Sequence, residues 1–232
     1  MINVRHQDEA RVFSRSSKGR LTNRDLGRFP GDTLFDRIGR AVCGAACLPR
    51  TELYEAWEVA RRSRRLFRGG RVVDLCGGHG LLALVMLVLD DSSPDALVVD
   101  TSRPPSSAAL HDAMVLAWPR LAGRVTYAVA GIETVELHST DVVVSSHACG
   151  ALTDVVLARA AAARARLAVM PCCHHLAAGG PGAPAGWVDG SLAMDIRRAL
   201  GLERAGYQIW TQAIASDITP KHRLLLGAPA PL

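Results

Sequence analysis

The sequence predicts a doubly wound, mostly parallel α/β sheet of seven strands behind an N-terminal helical extension. Three observations predict it. Short Val- and Leu-rich runs, suited to strands buried on both faces, alternate along the chain with segments of helical period. The first such run ends in the turn Cys76-Gly77-Gly78-His79-Gly80, the punctuation of a strand feeding a helix at a ligand crevice. The 232 residues are 49% hydrophobic but only 5% aromatic, enough for one large core built from Ala, Val and Leu.

Residues 1–30 are polar, Arg-rich and without clear period, and read as a flexible arm or a small substrate-facing cap. Leu34, Ile38, Val42 and Ala46 then recur about four apart, and Leu53, Trp57 and Ala60 repeat that spacing after Pro49, predicting two helices. Thr51 is the expected N-cap of the second. Glu52 and Glu55 follow in its first turn, and Arg61, Arg62, Arg64 and Arg65 occupy its last, a charge order that suits the helix dipole. These arginines are expected to be a solvated final turn, with contact to a phosphate backbone as the alternative. Strands are expected over 71–75, 96–100, 125–130, 141–146, 167–172, 207–214 and 223–226. Helices are expected over 80–89, 106–118, 152–164 and 191–205, with a Gly/Pro/Ala loop over 179–187. The chain thus divides into an arm and helical cap, 1–50, and an α/β domain, 51–232.

The formal charge of +5 mildly favours an anionic partner without establishing nucleic-acid binding. Lysine occurs only at Lys18 and Lys221; with so much Arg and Ala, codon bias is the plainer explanation. The N-terminus mixes acids with its bases and has no apolar stretch, so no targeting signal is expected. The longest apolar run, Leu81 to Leu89, is too short to span a bilayer. A soluble cytoplasmic protein without a membrane partner is expected, its six cysteines as reduced thiols.

The acid inside the first strand, Asp74, bears most directly on the ligand. Gly78-His79-Gly80-Leu81-Leu82-Ala83 formally fits a dinucleotide fingerprint, with Asp100 as its ribose-binding acid. An anionic Asp74 would, however, repel a pyrophosphate at this turn. S-adenosylmethionine carries a sulfonium and an α-ammonium group instead, and a carboxylate complements both. Asp100, ending the second strand, would take the ribose hydroxyls. S-adenosylmethionine is therefore the expected cofactor, with an NAD-dependent oxidoreductase as the alternative and a ligand-free turn as the plainer reading. The third strand ends Val129-Ala130-Gly131-Ile132. Ile132 would pack on the adenine ring, and no carboxylate reaches that turn unless Glu133 swings back. The expected cofactor set is Asp74, Cys76, Gly77, Gly78, Gly80, Asp100, Thr101, Gly131, Ile132 and Ser146.

The fourth strand runs into Ser146-His147-Ala148-Cys149-Gly150. His147 is a candidate general base or orienting group, or simply a packed histidine at the pocket wall. The fifth strand runs into Pro171-Cys172-Cys173-His174-His175. Alternate residues of an extended segment face opposite ways, so four neighbours do not converge on one metal without a sharp bend; no metal is expected, with a site completed by Cys149 or His147 from the neighbouring strand end as the alternative. The segment is expected to line the acceptor pocket, with Cys172, Cys173 and His175 binding substrate and His174 a second catalytic candidate.

The segments His147-Ala148-Cys149-Gly150-Ala151-Leu152-Thr153-Asp154 and Pro171-Cys172-Cys173-His174-His175 together resemble a class I methyltransferase domain family. That family includes eukaryotic tRNA acceptor-stem 2′-O-ribose methyltransferases and methyltransferase-like proteins of undefined substrate. The ending Ile218-Thr219-Pro220-Lys221-His222-Arg223-Leu224 is similar to the latter branch. The resemblance implies a Rossmann-like methyltransferase sheet over 51–232. It implies S-adenosylmethionine held by Asp74, Gly77, Gly78, Gly80 and Asp100, with His147 and the Cys172–His175 segment facing the acceptor. Cys43 and Cys47 lack the nearby paired histidines of the tRNA enzymes' zinc-finger segments. Methyl transfer to a small molecule or to RNA is thus expected, with a non-catalytic cofactor-binding module as the alternative.

Overall fold

The structure is a computed structural model that describes residues 13–171, 174 and 186–231. Cys172, Cys173, His175 and most of the 179–187 loop lie outside the described residues.

Seven strands form one sheet: β1 (Val72–Leu75), β2 (Ala96–Asp100), β3 (Val125–Val129), β4 (Val142–Ser145), β5 (Arg166–Val169), β6 (Tyr207–Ala213) and β7 (Arg223–Pro229). Their spatial order is β3-β2-β1-β4-β5-β7-β6. The first five strands pair in parallel; β7 runs antiparallel to both β5 and β6. The central strands β1 and β4 are buried throughout, which is why their runs, Val-Val-Asp-Leu and Val-Val-Val-Ser, are nearly continuous apolar residues. Strand β7 continues to Pro229, past the expected end; a proline is tolerated at that terminal position.

Side-chain alternation divides the core between the two faces of the sheet. Val72, Val98, Val142 and Val144 point to one face, where helices α1 (Leu34–Ala45), α2 (Arg50–Leu66), α3 (Leu81–Leu89) and α4 (Ser107–Ala117) pack. Val73, Leu75, Val99 and Val143 point to the other, toward α5 (Ala151–Ala162) and α6 (Gly190–Arg204). Helix α3 is apolar all round because the sheet covers one side of it and α2 the other; Leu81 through Val88 are all buried.

The described part of the N-terminal extension is packed rather than loose. Leu21 and Phe29 are fully buried in the core cluster shared with α1, α2 and α3. A 3-10 turn at Asn23–Arg28 begins in a capping box between Thr22 and Asp25. Arg20 bridges to Pro49, and Arg15 pairs with Asp217 near the C-terminal strand.

Two features of α2 depart from the sequence reading. Pro49, not Thr51, holds the N-cap position, without a side-chain cap; the Thr51 hydroxyl donates instead to the Ile218 carbonyl at 3.2 Å. The final arginines are not a uniformly solvated turn, nor a free basic patch. Arg64 is buried, donating to Ser93 Oγ at 2.7 Å and the Met86 carbonyl at 3.2 Å and pairing with Asp90 at 3.2 Å. Burial lowers its pKa to about 10 although Asp90 opposes the shift, so it stays charged at neutral pH. Arg61 and Arg62 both grip Glu58, and Arg65 is exposed. Among the described residues, no helix is long and apolar enough to cross a membrane.

Candidate active site

A cavity of about 400 Å³ opens at the carboxyl ends of β1, β2 and β4, walled by the glycine turn, Asp100, the 131–133 turn, His147 and the first turn of α2. The glycine turn is built by steric necessity. A Cβ on Gly77 would stand 2.6 Å from Val98 Cγ1 and 2.9 Å from the Asp74 carboxylate, so only glycine lets the backbone lie there. Gly80, at φ +80°, supplies the left-handed step into α3.

Asp100 holds the turn from the neighbouring strand. One oxygen accepts the Gly78 N–H at 3.0 Å and the other the Thr101 N–H at 2.7 Å. Asp74 sits beneath the turn rather than on the cavity wall, 1% exposed. Its Oδ2 accepts the Ala83 N–H of α3 at 3.3 Å, and its Oδ1 has no partner among the described residues. Burial pushes its pKa up to about 7 against that hydrogen bond, and the charge of Asp100 adds to the rise. The Tyr127 hydroxyl on β3 is likewise buried and unpartnered; burial and the same two carboxylates push its pKa up. Cys76 lines the cavity, but burial, then Asp100 and Asp74, raise its pKa to about 11, so it is a thiol rather than a thiolate nucleophile.

Beyond β3, Ile132 lines the cavity and Glu133 folds back over Gly131, where an added Cβ would collide with the Glu133 carboxylate. The carboxylate missing from the end of the third strand is thus supplied by the turn after it. Arg159 of α5 fixes that turn by donating to the Glu133 and Val135 carbonyls.

On the opposite wall, Ser145 donates to the Leu75 carbonyl at 2.6 Å and ties β4 to β1. Ser146 and His147 then border a small recess between the glycine turn and α2. The His147 side chain reaches solvent at the cavity rim. The protein around it, then the charge of Lys221, still hold its pKa below the usual histidine range, so the neutral imidazole dominates at neutral pH. The same recess and the main cavity are both lined by Glu52, which the sequence reading treated only as a first-turn helix acid. Burial, then the neighbouring Glu55, push its pKa up to about 7.

The structure brings together Cys76, Gly77, Gly78, Asp100, Thr101, Gly131, Ile132 and His147 around the cavity, with Ser146 in the recess. Gly80 lines a separate small pocket on the far side of the turn. His174 stands apart. Its Nε2 lies 2.8 Å from Asp195 of α6, which also binds Arg198 at 3.1 Å and Arg223 at 2.7 Å. Arg198 in turn forks onto Asp154 at 2.8 and 3.0 Å and reaches the Gly150 carbonyl at 3.3 Å. The two cysteine-containing motifs are therefore tied together through α6. No group of three or more metal-ligating side chains occurs among the described residues.

Strand order, the antiparallel β7 and the glycine-rich cavity define a class I methyltransferase fold. The chain belongs to a methyltransferase-domain family, whose profile matches residues 56–179. Solved structures of like fold include an O-methyltransferase family protein from Burkholderia thailandensis. It has a TM-score of 0.52 and 19% identity, covering 92% of this chain and 65% of that one. Another is a ribosomal protein methylase from Lactobacillus delbrueckii subsp. bulgaricus, at 0.51 and 13%, covering 78% and 79%. A third is a tRNA methyltransferase from B. subtilis, at 0.50 and 14%, covering 76% and 65%. At these identities the likeness is one of fold, and this chain spans 65% of the length of the Burkholderia protein. No curated protein matches the sequence.

Proposed function

We propose that the protein is an S-adenosylmethionine-dependent methyltransferase whose acceptor is a small molecule or an RNA nucleoside. The observation that carries this reading is the charge of the cavity. Asp100, Glu133 and Glu52 line it, Asp74 lies directly beneath with one oxygen unpartnered, and no Lys or Arg is among its described lining residues. Such a cavity suits a cationic ligand and repels a pyrophosphate, which speaks against the dinucleotide alternative. The donor set fits the cofactor: a glycine turn that admits close approach, a carboxylate for hydroxyls, and an apolar Ile132 beside a second carboxylate. Asp100 and Thr101 would hold the ribose, Ile132 and Glu133 the adenine, and Gly77 and Gly78 the chain between.

When bound, the cofactor supplies a methyl group already activated by its sulfonium. The residues of this chain then have two tasks. The first is to hold the acceptor in line, which falls to Leu152 and His147 at the rim. The second is to receive a proton where the acceptor has one to lose. Neutral His147 is the group we assign to it, with His174 placed in the α6 network as support for the acceptor wall. The fold relatives name an O-methyltransferase family, a ribosomal protein and a tRNA among them, so fold does not select the acceptor here.

The test is calorimetric titration with S-adenosylmethionine, S-adenosylhomocysteine and NAD. Saturable binding of the first two and not the third is expected, weakened about tenfold or more by Asp100→Ala. A folded sample that binds NAD and neither methionine-derived ligand would overturn the reading. Labelled-methyl transfer to RNA and to metabolite extracts then separates acceptors. Loss of transfer in His147→Ala with unchanged cofactor affinity would exclude a purely binding module.

A further inference from the structure

Resting on that reading, we infer that Glu52 of α2 is the anionic partner of the cofactor's amino group, so that the first turn of this helix completes the cofactor site. Glu52 stands one turn ahead of the matched family stretch, which begins at residue 56 in the same helix. Three observations lead to it. Glu52 borders both the main cavity and the recess formed with Gly77, His79, Ser146 and His147, beside the end of β1 and away from the 131–133 turn. Among the described residues its carboxylate has no hydrogen-bond or ion-pair partner, whereas Glu58, two turns along the same helix, is held by two arginines. Its position is fixed from behind: Thr51 donates to the Ile218 carbonyl at 3.2 Å, and the same segment brings Thr219 and Lys221 up to the buried Glu55.

An unpaired carboxylate facing a cavity is costly until a cation arrives. Burial and Glu55 raise the pKa of Glu52 to about 7, so the site is part-protonated at neutral pH and ionises as an ammonium group enters. The other titratable groups around this end are His79 and His147, both held below the usual histidine range, Cys76 and Cys47, whose pKa values burial raises first and neighbouring carboxylates raise further (Glu52 in the case of Cys47), and Asp74 and Asp100 across the turn. None is a cation at neutral pH. The charge of Arg20 is felt by His79 and Cys47 and that of Lys221 by His147, and neither cation lines the recess.

The experiment is a ligand-by-variant cycle read by calorimetry. S-adenosylhomocysteine and its analogue with the amino group replaced by hydrogen are titrated into wild type, Glu52→Gln and Glu133→Gln. In wild type, loss of the amino group is expected to weaken binding roughly 30-fold. In Glu52→Gln that ratio should fall to about twofold, while Glu133→Gln, at the other end of the cavity, keeps the full ratio. Glu52→Asp, which withdraws the charge by one methylene, should give an intermediate ratio and serves if Gln prevents folding. A full ratio in Glu52→Gln, or no amino-group dependence in wild type, overturns the inference while leaving the cofactor assignment intact. Failure of wild type to bind S-adenosylhomocysteine at all would instead overturn the cofactor reading.

Discussion

The two halves of the sheet treat their acids in opposite ways. Around α6 and β7, Asp195 is saturated: His174, Arg198 and Arg223 surround one carboxylate, and Arg198 passes the contact on to Asp154. Around β1, Asp74 has an orphan oxygen, Glu52 has no partner among the described residues, and both carry pKa values raised to about 7. One network joins elements and ties the two cysteine-containing motifs together. The other leaves negative charge incompletely compensated where the cavity opens, which is the arrangement expected of a site waiting for a cation.

The largest expected effect would break the saturated half. Asp195→Ala leaves two guanidinium groups and a histidine facing one another, and should destabilise the fold by about 3 kcal/mol in urea unfolding. Should the loss be only a few tenths of a kcal/mol, the α6 network would be a surface ornament rather than a joint. Next in size is the unsatisfied half, where the sign reverses. Asp74 has a native pKa of about 7, above the ordinary carboxylate value of 3.8. The native state therefore holds the extra proton between those values. Stability is greatest near pH 4 from this group and falls as pH rises to about 7. Asp74→Asn should remove that slope and leave the ligand-free protein about 2 kcal/mol more stable than wild type at pH 8. Thermal melts at pH 5 and pH 8 check it. The smallest effect is Asp154→Ala. It loses the fork with Arg198, but the Asp154 side chain is 55% exposed, so about 1 kcal/mol is expected.

The same contrast marks what the sequence could show. The strands of the parallel half were legible because burial on both faces writes continuous apolar runs, and Asp74 inside the first and Asp100 at the end of the second stood out against them. Glu52 was not legible, since an acid in the first turn of a helix already has a local explanation in the dipole. Its role depends on where α2 docks against the glycine turn. Glu133 was legible only as a conditional, because the fold-back over Gly131 is a tertiary event. Arg64 carries a signal of its own in the sequence: it continues the buried stripe of Leu53, Ala56 and Ala60, and an arginine on an apolar stripe calls for a buried acid such as Asp90. Thr51 misled because threonine is a strong N-cap type, yet Pro49 occupies that position and the hydroxyl is committed to the C-terminal segment. The α6 network joins residues far apart in the chain, so no local pattern announces it.

The central claim is that the cavity acids stay uncompensated until a cationic ligand binds. It is tested most directly by titrating S-adenosylmethionine at pH 7 in two buffers of different ionisation heat, which yields the number of protons exchanged on binding. With Asp74 and Glu52 each near half-protonated, the account predicts release of roughly one proton in total. Tight binding with no proton release would show that the ligand does not meet these carboxylates, and would contradict it.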